Sequence, residues 1–243
     1  SLTKLDLSHF NTGKVTDMSN MFLRCMSLAS LDLGHFNVEK VKSMDRMFVS
    51  CNKLTEIDLS GCNASAVTTM AYMFNGCKAL TSIKLPGSTA GNLTSMEEMF
   101  QNCPNLEHIH GLENLNTSNV TNMRAVFAFC KKLNDINLSS FDTRNVTSMN
   151  SMFSECEALT SLDLSSFDTR NVTDMGWMFY YCSGLTSLNL DSFITERTTT
   201  MQSMFYECNG LTGLDLSSFD TRNVTDMSFM FSGCTSLDSL DLS

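Results

Sequence analysis

A cysteine returns every 26 residues along this chain, at Cys25, Cys51, Cys77, Cys103, Cys130, Cys156, Cys182, Cys208 and Cys234. One interval, from Cys103 to Cys130, is 27. Leucines, methionines and phenylalanines return with it. A fixed period of this size predicts stacked units, each too small to bury its own apolar face and each packed on its neighbours. Residues 1–243 therefore read as a single solenoid of nine 26-residue repeats, one of them of 27, and a closing strand. Ser1 to Phe10 already reads as repeat, and Leu240-Asp241-Leu242-Ser243 reads as strand, so the expectation is a segment of a longer array.

Each repeat opens Leu-x-x-Leu-x-Leu, as in Leu28-Ala29-Ser30-Leu31-Asp32-Leu33. The last two leucines alternate with polar residues, the period of a half-buried strand. The matching positions are Leu5, Leu31, Ile57, Ile83, Ile109, Ile136, Leu162, Leu188, Leu214 and Leu240. They predict ten parallel strands in one sheet. A phenylalanine follows in most repeats (Phe10, Phe36, Phe141, Phe167, Phe193, Phe219) and closes the interior. Then Val172, Met175, Met178, Phe179 and Cys182 fall at offsets 0, 3, 6, 7 and 10. That stripe matches a helix of 3.6 residues per turn, with Asn171 or Thr173 as its N-cap and Asp174 in its first turn. The expected fold class is α/β: ten parallel strands in one sheet, with nine helices on the opposite, convex side.

Seventeen of the 18 methionines sit in two columns of that stripe, Met26 being the other. A methionine stripe can serve a binding groove, but these columns face inward and read as core. Nine cysteines share one column and Cys62 stands where other repeats carry phenylalanine. Helices 8–10 Å apart would hold such cysteines too far apart for disulfides, so ten buried free thiols are expected. A net charge of −10 argues against nucleic acid. No apolar run approaches the ~18 residues of a membrane-spanning helix, so no membrane insertion is expected.

The full pattern, Leu-Thr-x-Leu-Asp-Leu-Ser-x-Phe-Asp-Thr-x-Asn-Val-Thr-x-Met-x-x-Met-Phe-x-x-Cys, resembles the BspA-like leucine-rich repeat family of bacterial and protist surface proteins. The resemblance covers the whole chain. It implies a leucine-rich repeat fold, a place on the cell surface or outside the cell, and a role in adhesion, virulence and binding of host or microbial surface proteins. It brings no binding motif to transfer residue by residue.

Three places depart from a plain repeat. The outward column of the sheet is acidic, including Asp163, Asp215 and Asp241. It reads as a solvated face, a docking surface for a basic patch, or a weak calcium site. In repeats four and five this column carries Lys84 and His110, with His108 two residues before on the same strand. Two histidines near Asp135 suggest zinc, but a third strong ligand is lacking. On the outer side of the expected helices lie Trp177, Tyr180, Tyr206 and Phe229, where other repeats have Asn20, Ser151 or Ser154. Aromatics of this kind are enriched in protein interfaces, and these four are the leading candidates for a partner site. Asn119, Asn145, Asn171 and Asn223 each begin Asn-Val-Thr, which reads either as a helix cap or as a glycosylation sequon.

No nucleophile with a base and an orienting third group appears, and no phosphate loop. No catalytic residue, metal or cofactor is expected. The sequence favours a recognition and adhesion module, and the rival is a spacer with no ligand of its own. The first and last strands have interchangeable sequences, so end-to-end self-stacking is expected at high concentration.

Overall fold

The computed structural model describes residues 2–89 and 91–242. Residues 26 apart in sequence lie one above another. Strands β1 (Glu56–Asp58), β2 (Ser82–Lys84) and β3 (His108–His110) form one parallel sheet, and β4 (Gly213–Asp215) pairs in parallel with β5 (Ser239–Asp241). Ile57, Ile83 and Ile109 are in register, as are Leu214 and Leu240. The extra residue of the 27-residue interval is absorbed near a single 3₁₀ turn, Leu112–Asn114, which Gly111 enters at φ 89°.

This overturns the expected fold class. Among the described residues there are five three-residue strands in two small sheets, not ten in one, and there is no α-helix. Leu162 and Leu188 still face inward, but their segments carry no regular strand.

The expected helix is a run of tight turns. Met178 N–H donates to Met175 O at 3.3 Å and Cys182 N–H to Phe179 O at 3.0 Å, spans of three residues where an α-helix has four. The alternate N–H groups leave the coil altogether. Met175, Trp177, Phe179 and Tyr181 donate to the carbonyls of Thr200, Gln202, Met204 and Tyr206 in the next repeat, at 2.8–3.1 Å. Trp177 and Tyr181 sit at φ 55° and 54°, the left-handed region that the third residue of a type II turn requires. Every positive-φ residue that is not glycine falls in these two columns, which run from Asn20 to Phe229 and from Arg24 to Glu207.

The physical reason lies in spacing. Strands stack about 4.8 Å apart and packed helices about 8–10 Å apart. A short repeat joins the two only by fanning out. Turns let the outer wall stack as closely as the strands do, and the offsets 0, 3, 6, 7 and 10 suit either conformation. The convex helical side is absent among the described residues.

Side chains make that spacing visible. Nine phenylalanines from Phe22 to Phe231 stack with centroids 5.4–5.9 Å apart and planes within 10°. Parallel rings at that separation are offset, a favoured aromatic arrangement. Beside them the cysteines form a second ladder. Each Sγ of this column from Cys51 to Cys234, Cys62 lying outside it, donates to the phenylalanine carbonyl of the preceding repeat, Cys182 to Phe153 O at 3.1 Å, for example. All ten cysteines are free thiols; Cys25 and Cys234 are half-buried and the others buried. Helix spacing is not what keeps them apart, since there are no helices. The S–H groups of the eight column cysteines from Cys51 to Cys234 are instead committed to carbonyls. The methionine columns are buried except at Met21 and Met227.

Polar columns are used the same way. The Asn-Val-Thr asparagines cap no helix: Asn145, Asn171 and Asn223 donate Nδ2 to the carbonyls of Ser118, Arg144 and Glu196 one repeat back, at 2.7–2.8 Å. Asp174 lies on no helix turn. It stands in a line of single parallel bridges from Asp17 to Asp226, one residue per repeat. Buried threonines tie the opposite corner. The Thr143 hydroxyl accepts from Asp168 N–H at 2.8 Å and donates to Asp168 O at 3.0 Å. Thr117, Thr169 and Thr195 repeat the pair of bonds.

Thr143→Val keeps the shape and strands both backbone groups of Asp168. An unsatisfied buried polar group costs about 1–3 kcal/mol, so the urea midpoint should fall accordingly. Thr143→Ser should restore most of it. Equal midpoints for all three proteins would show that water replaces the hydroxyl.

Candidate protein-binding face

The left-handed turns set the direction of the outer side chains. Trp177, Tyr181, Glu207 and Phe229 all occupy positive-φ positions. Bulky residues are disfavoured there, and glycine is the natural occupant. The repeat nevertheless carries glycine in these columns only at Gly76 and Gly233. The fold does not call for an aromatic at Trp177 or Phe229.

Three of the four candidate aromatics come together. Tyr180 stacks on Tyr206 with centroids 5.0 Å apart and planes at 16°, and Phe229 meets the edge of Tyr206 at 6.4 Å. Tyr181, which the sequence reading passed over, joins them at 4.7 Å from Tyr180 and 5.5 Å from Tyr206. On a helix Tyr180 and Tyr181 would diverge by 100°; on a turn both project outward. Their adjacency in sequence was the signal available. The three tyrosines are half-buried, and Phe229 is 64% exposed. Trp177 is half-buried on the same arc, one turn before Tyr181. Among the described residues it forms no ring pair.

Carboxylates surround this cluster. Glu155 lies near Tyr180, and Glu207 near both Tyr180 and Tyr181; burial first, then these neighbours, push the two phenols up from their ordinary range. Glu155 is paired with Lys131 at 3.0 Å. Glu207 accepts from the Asn209 amide at 3.0 Å and has no ion pair among the described residues.

The sheet face is built differently. The Asp163 and Asp215 carboxylates accept from the N–H groups of Ser165 and Ser217, at 3.0 and 2.9 Å, and so close the turn that ends each strand segment. The Ser165 N–H holds the Asp163 carboxyl below its usual range. This column is turn chemistry first. Asp241 lies in register with Asp215. His108 and His110 are exposed on β3 with ring centroids 6.2 Å apart, and Lys84, in register with His110, pairs with Asp58 at 2.8 Å. Among the described residues no group of three or more His, Cys, Asp or Glu is placed to hold a metal ion. No helix there is long and apolar enough to cross a membrane. A groove of about 570 Å³ runs beside Asp142, Arg144, Asp168 and Arg170, but these four are already paired with one another.

A family model described as "Mycoplasma protein of unknown function, DUF285" matches residues 1–109, 94–212 and 184–243. No curated protein matches the sequence. Similar solved structures include leucine-rich repeat proteins of three bacteria. That of T. pallidum is 18% identical, with a TM-score of 0.37, over 76% of this chain and 72% of its own. That of Bacteroides ovatus is 15% identical, with a TM-score of 0.33, over 93% and 64%. That of Leptospira interrogans is 16% identical, with a TM-score of 0.36, over 89% and 49%. The chain thus spans less than two thirds of the second and third of these proteins.

Proposed function

We propose, from the premise that this chain belongs to the DUF285 family, that it is a non-catalytic protein-recognition module. Its place is the outside of a cell and its partner a host or microbial surface protein, as in the BspA-like repeats it resembles. The nine repeats and closing strand act as one solenoid that holds the binding face in a fixed register. The observation that carries this reading is the ring cluster of Tyr180, Tyr181, Tyr206 and Phe229. Most other repeats carry small or polar residues in these columns, and Tyr181 and Phe229 stand at left-handed backbone positions where bulky side chains carry a conformational cost. Aromatics are the residues most enriched among interface hot spots. Trp177, on the same arc, belongs to the same face.

The test is capture of surface proteins on the full chain, followed by titration of the captured partner. Trp177→Ala and Tyr206→Ala should each cost at least ~2 kcal/mol of binding, with little change in the urea midpoint. Normal binding by both variants, with loss in Asp163→Ala or Asp215→Ala, would move the site to the sheet. A spacer would capture nothing that any of these variants releases.

A further inference from the structure

We propose that the ring cluster receives an arginine or lysine side chain of a basic protein partner, held against Tyr180, Tyr181 and Tyr206, with Glu207 as its counter-ion. This rests on the protein-recognition reading and names the chemistry that the partner must present.

The chain contains its own template. The Arg46 guanidinium of the second repeat lies 4.3 Å from the ring centroid of Tyr72 in the third. Tyr72 is half-buried, and Glu97 and Glu98 of the next repeat lie close to it. Arg46 is itself paired with Asp45, so aromatic face, cation and carboxylate make a closed set, since the ring quadrupole and a carboxylate attract the same charge. Arg124 completes the neutralisation by pairing with Glu97 and Glu98.

Repeats seven to nine reproduce the rings and the carboxylate around Tyr206, and among the described residues no cation is paired with that carboxylate. Tyr206 is flanked by Tyr180, Tyr181 and Phe229, whose planes differ from its own by 16°, 47° and 73°. The rings therefore offer both faces and edges within one small area. Glu207 sits beside them, its carboxylate accepting from the Asn209 amide and without an ion pair among the described residues. Glu155 shows that a basic side chain reaches this surface, because Lys131 already occupies it. An apolar partner would bury Glu207 without compensation, which is costly. An anionic partner would meet Glu155, Glu207 and a chain of net charge −10. A cationic side chain satisfies rings and carboxylate at once, and the overall charge steers basic partners inward.

The experiment titrates the full chain with a nine-residue glycine-serine peptide bearing three arginines, and with the same peptide bearing the neutral isostere citrulline. Ring resonances of the tyrosines report the position of binding. The arginine peptide should bind at least tenfold more tightly than the citrulline peptide and shift the rings of Tyr180, Tyr181 and Tyr206. Glu207→Gln and Tyr206→Leu should each weaken it at least fivefold with the urea midpoint retained, and Asp163→Asn and Asp215→Asn should weaken it less than twofold. Equal binding of the two peptides overturns the cation assignment and leaves the protein-recognition reading standing. Absence of binding by either peptide, or equal losses in Asp163→Asn and Glu207→Gln, also overturns it. Failure of the wider reading would appear instead in the capture experiment, as no partner released by Trp177→Ala or Tyr206→Ala.

Discussion

Raising the pH from 9 to 12 should unfold this chain, and the thiol ladder should drive the transition. A free thiol has an ordinary value of 9.0, and burial pushes Cys130 and Cys182 up to about 12. Burial likewise raises Cys156 and Cys208, and a bond with Cys103 together with burial raises Cys77. Below pH 9 native and unfolded thiols are both protonated and the ladder is indifferent to pH. Above it the unfolded chain loses protons that the native chain retains, so stability falls as pH rises. Each such thiol contributes about 1.4 kcal/mol per pH unit until its native value is reached. Cys130 and Cys182 alone then remove about 8 kcal/mol by pH 12, comparable to the whole stability of many domains. Tyrosine and lysine ionisation adds to the same limb, so the decisive quantity is a difference. Urea unfolding followed from pH 7 to 12 should give Cys182→Ala a slope shallower than wild type by about 1.4 kcal/mol per pH unit. Parallel slopes would show that this thiol is not held protonated in the native chain.

Phe179→Ala should cost about 3–5 kcal/mol, the range for truncating a fully buried aromatic. The ring is buried and lies 5.9 Å from Phe153 and 5.7 Å from Phe205. Its removal opens a gap between two rings that the backbone bonds hold in place. Phe179 N–H still donates to Met204 O, and Cys208 Sγ still donates to Phe179 O. Collapse of the gap is therefore resisted, which favours the upper half of the range. Each repeat leans on the next, so hydrogen exchange should accelerate around Phe153 and Phe205 as well as at the mutated repeat. Protection unchanged in both neighbours would mean that the repeats do not share stability.

The columns were legible in the sequence because stacking makes the same demand at every level. A position whose neighbours above and below are identical to it must be tolerable to its own kind. Hence Phe179, Cys182 and the two methionine columns could be placed inside from spacing alone. The path between those columns was not legible. A helical stripe and a run of three-residue turns bury Val172, Met175, Met178, Phe179 and Cys182 alike. What separates them is the sign of φ at Trp177 and Tyr181, and the residues in those columns rarely advertise it. Gly76, Gly233, Asn20 and Asn102 suit a left-handed turn, but Trp177, Phe129 and Arg46 do not. The same ambiguity hid the cluster's full membership, because Tyr181 points outward only if the backbone turns. Thr143 and Asn171 were visible as recurrent polar residues. That they bond to the repeat on either side follows only from the close stacking.

The direction of the inter-repeat hydrogen bonds has a mechanical consequence. Trp177, Phe179 and Tyr181 donate forward to the next repeat, and Thr173 and Thr186 donate backward to the preceding one. These bonds, with the thiol and asparagine bonds, join one level to the next. Tension applied across the stack from its two ends loads them in series. They would then open one level at a time and not shear together. Each event would release one repeat, about 90 Å of extended chain, at low force. A stack of repeats made this way gives ground in even steps and keeps its remaining levels folded.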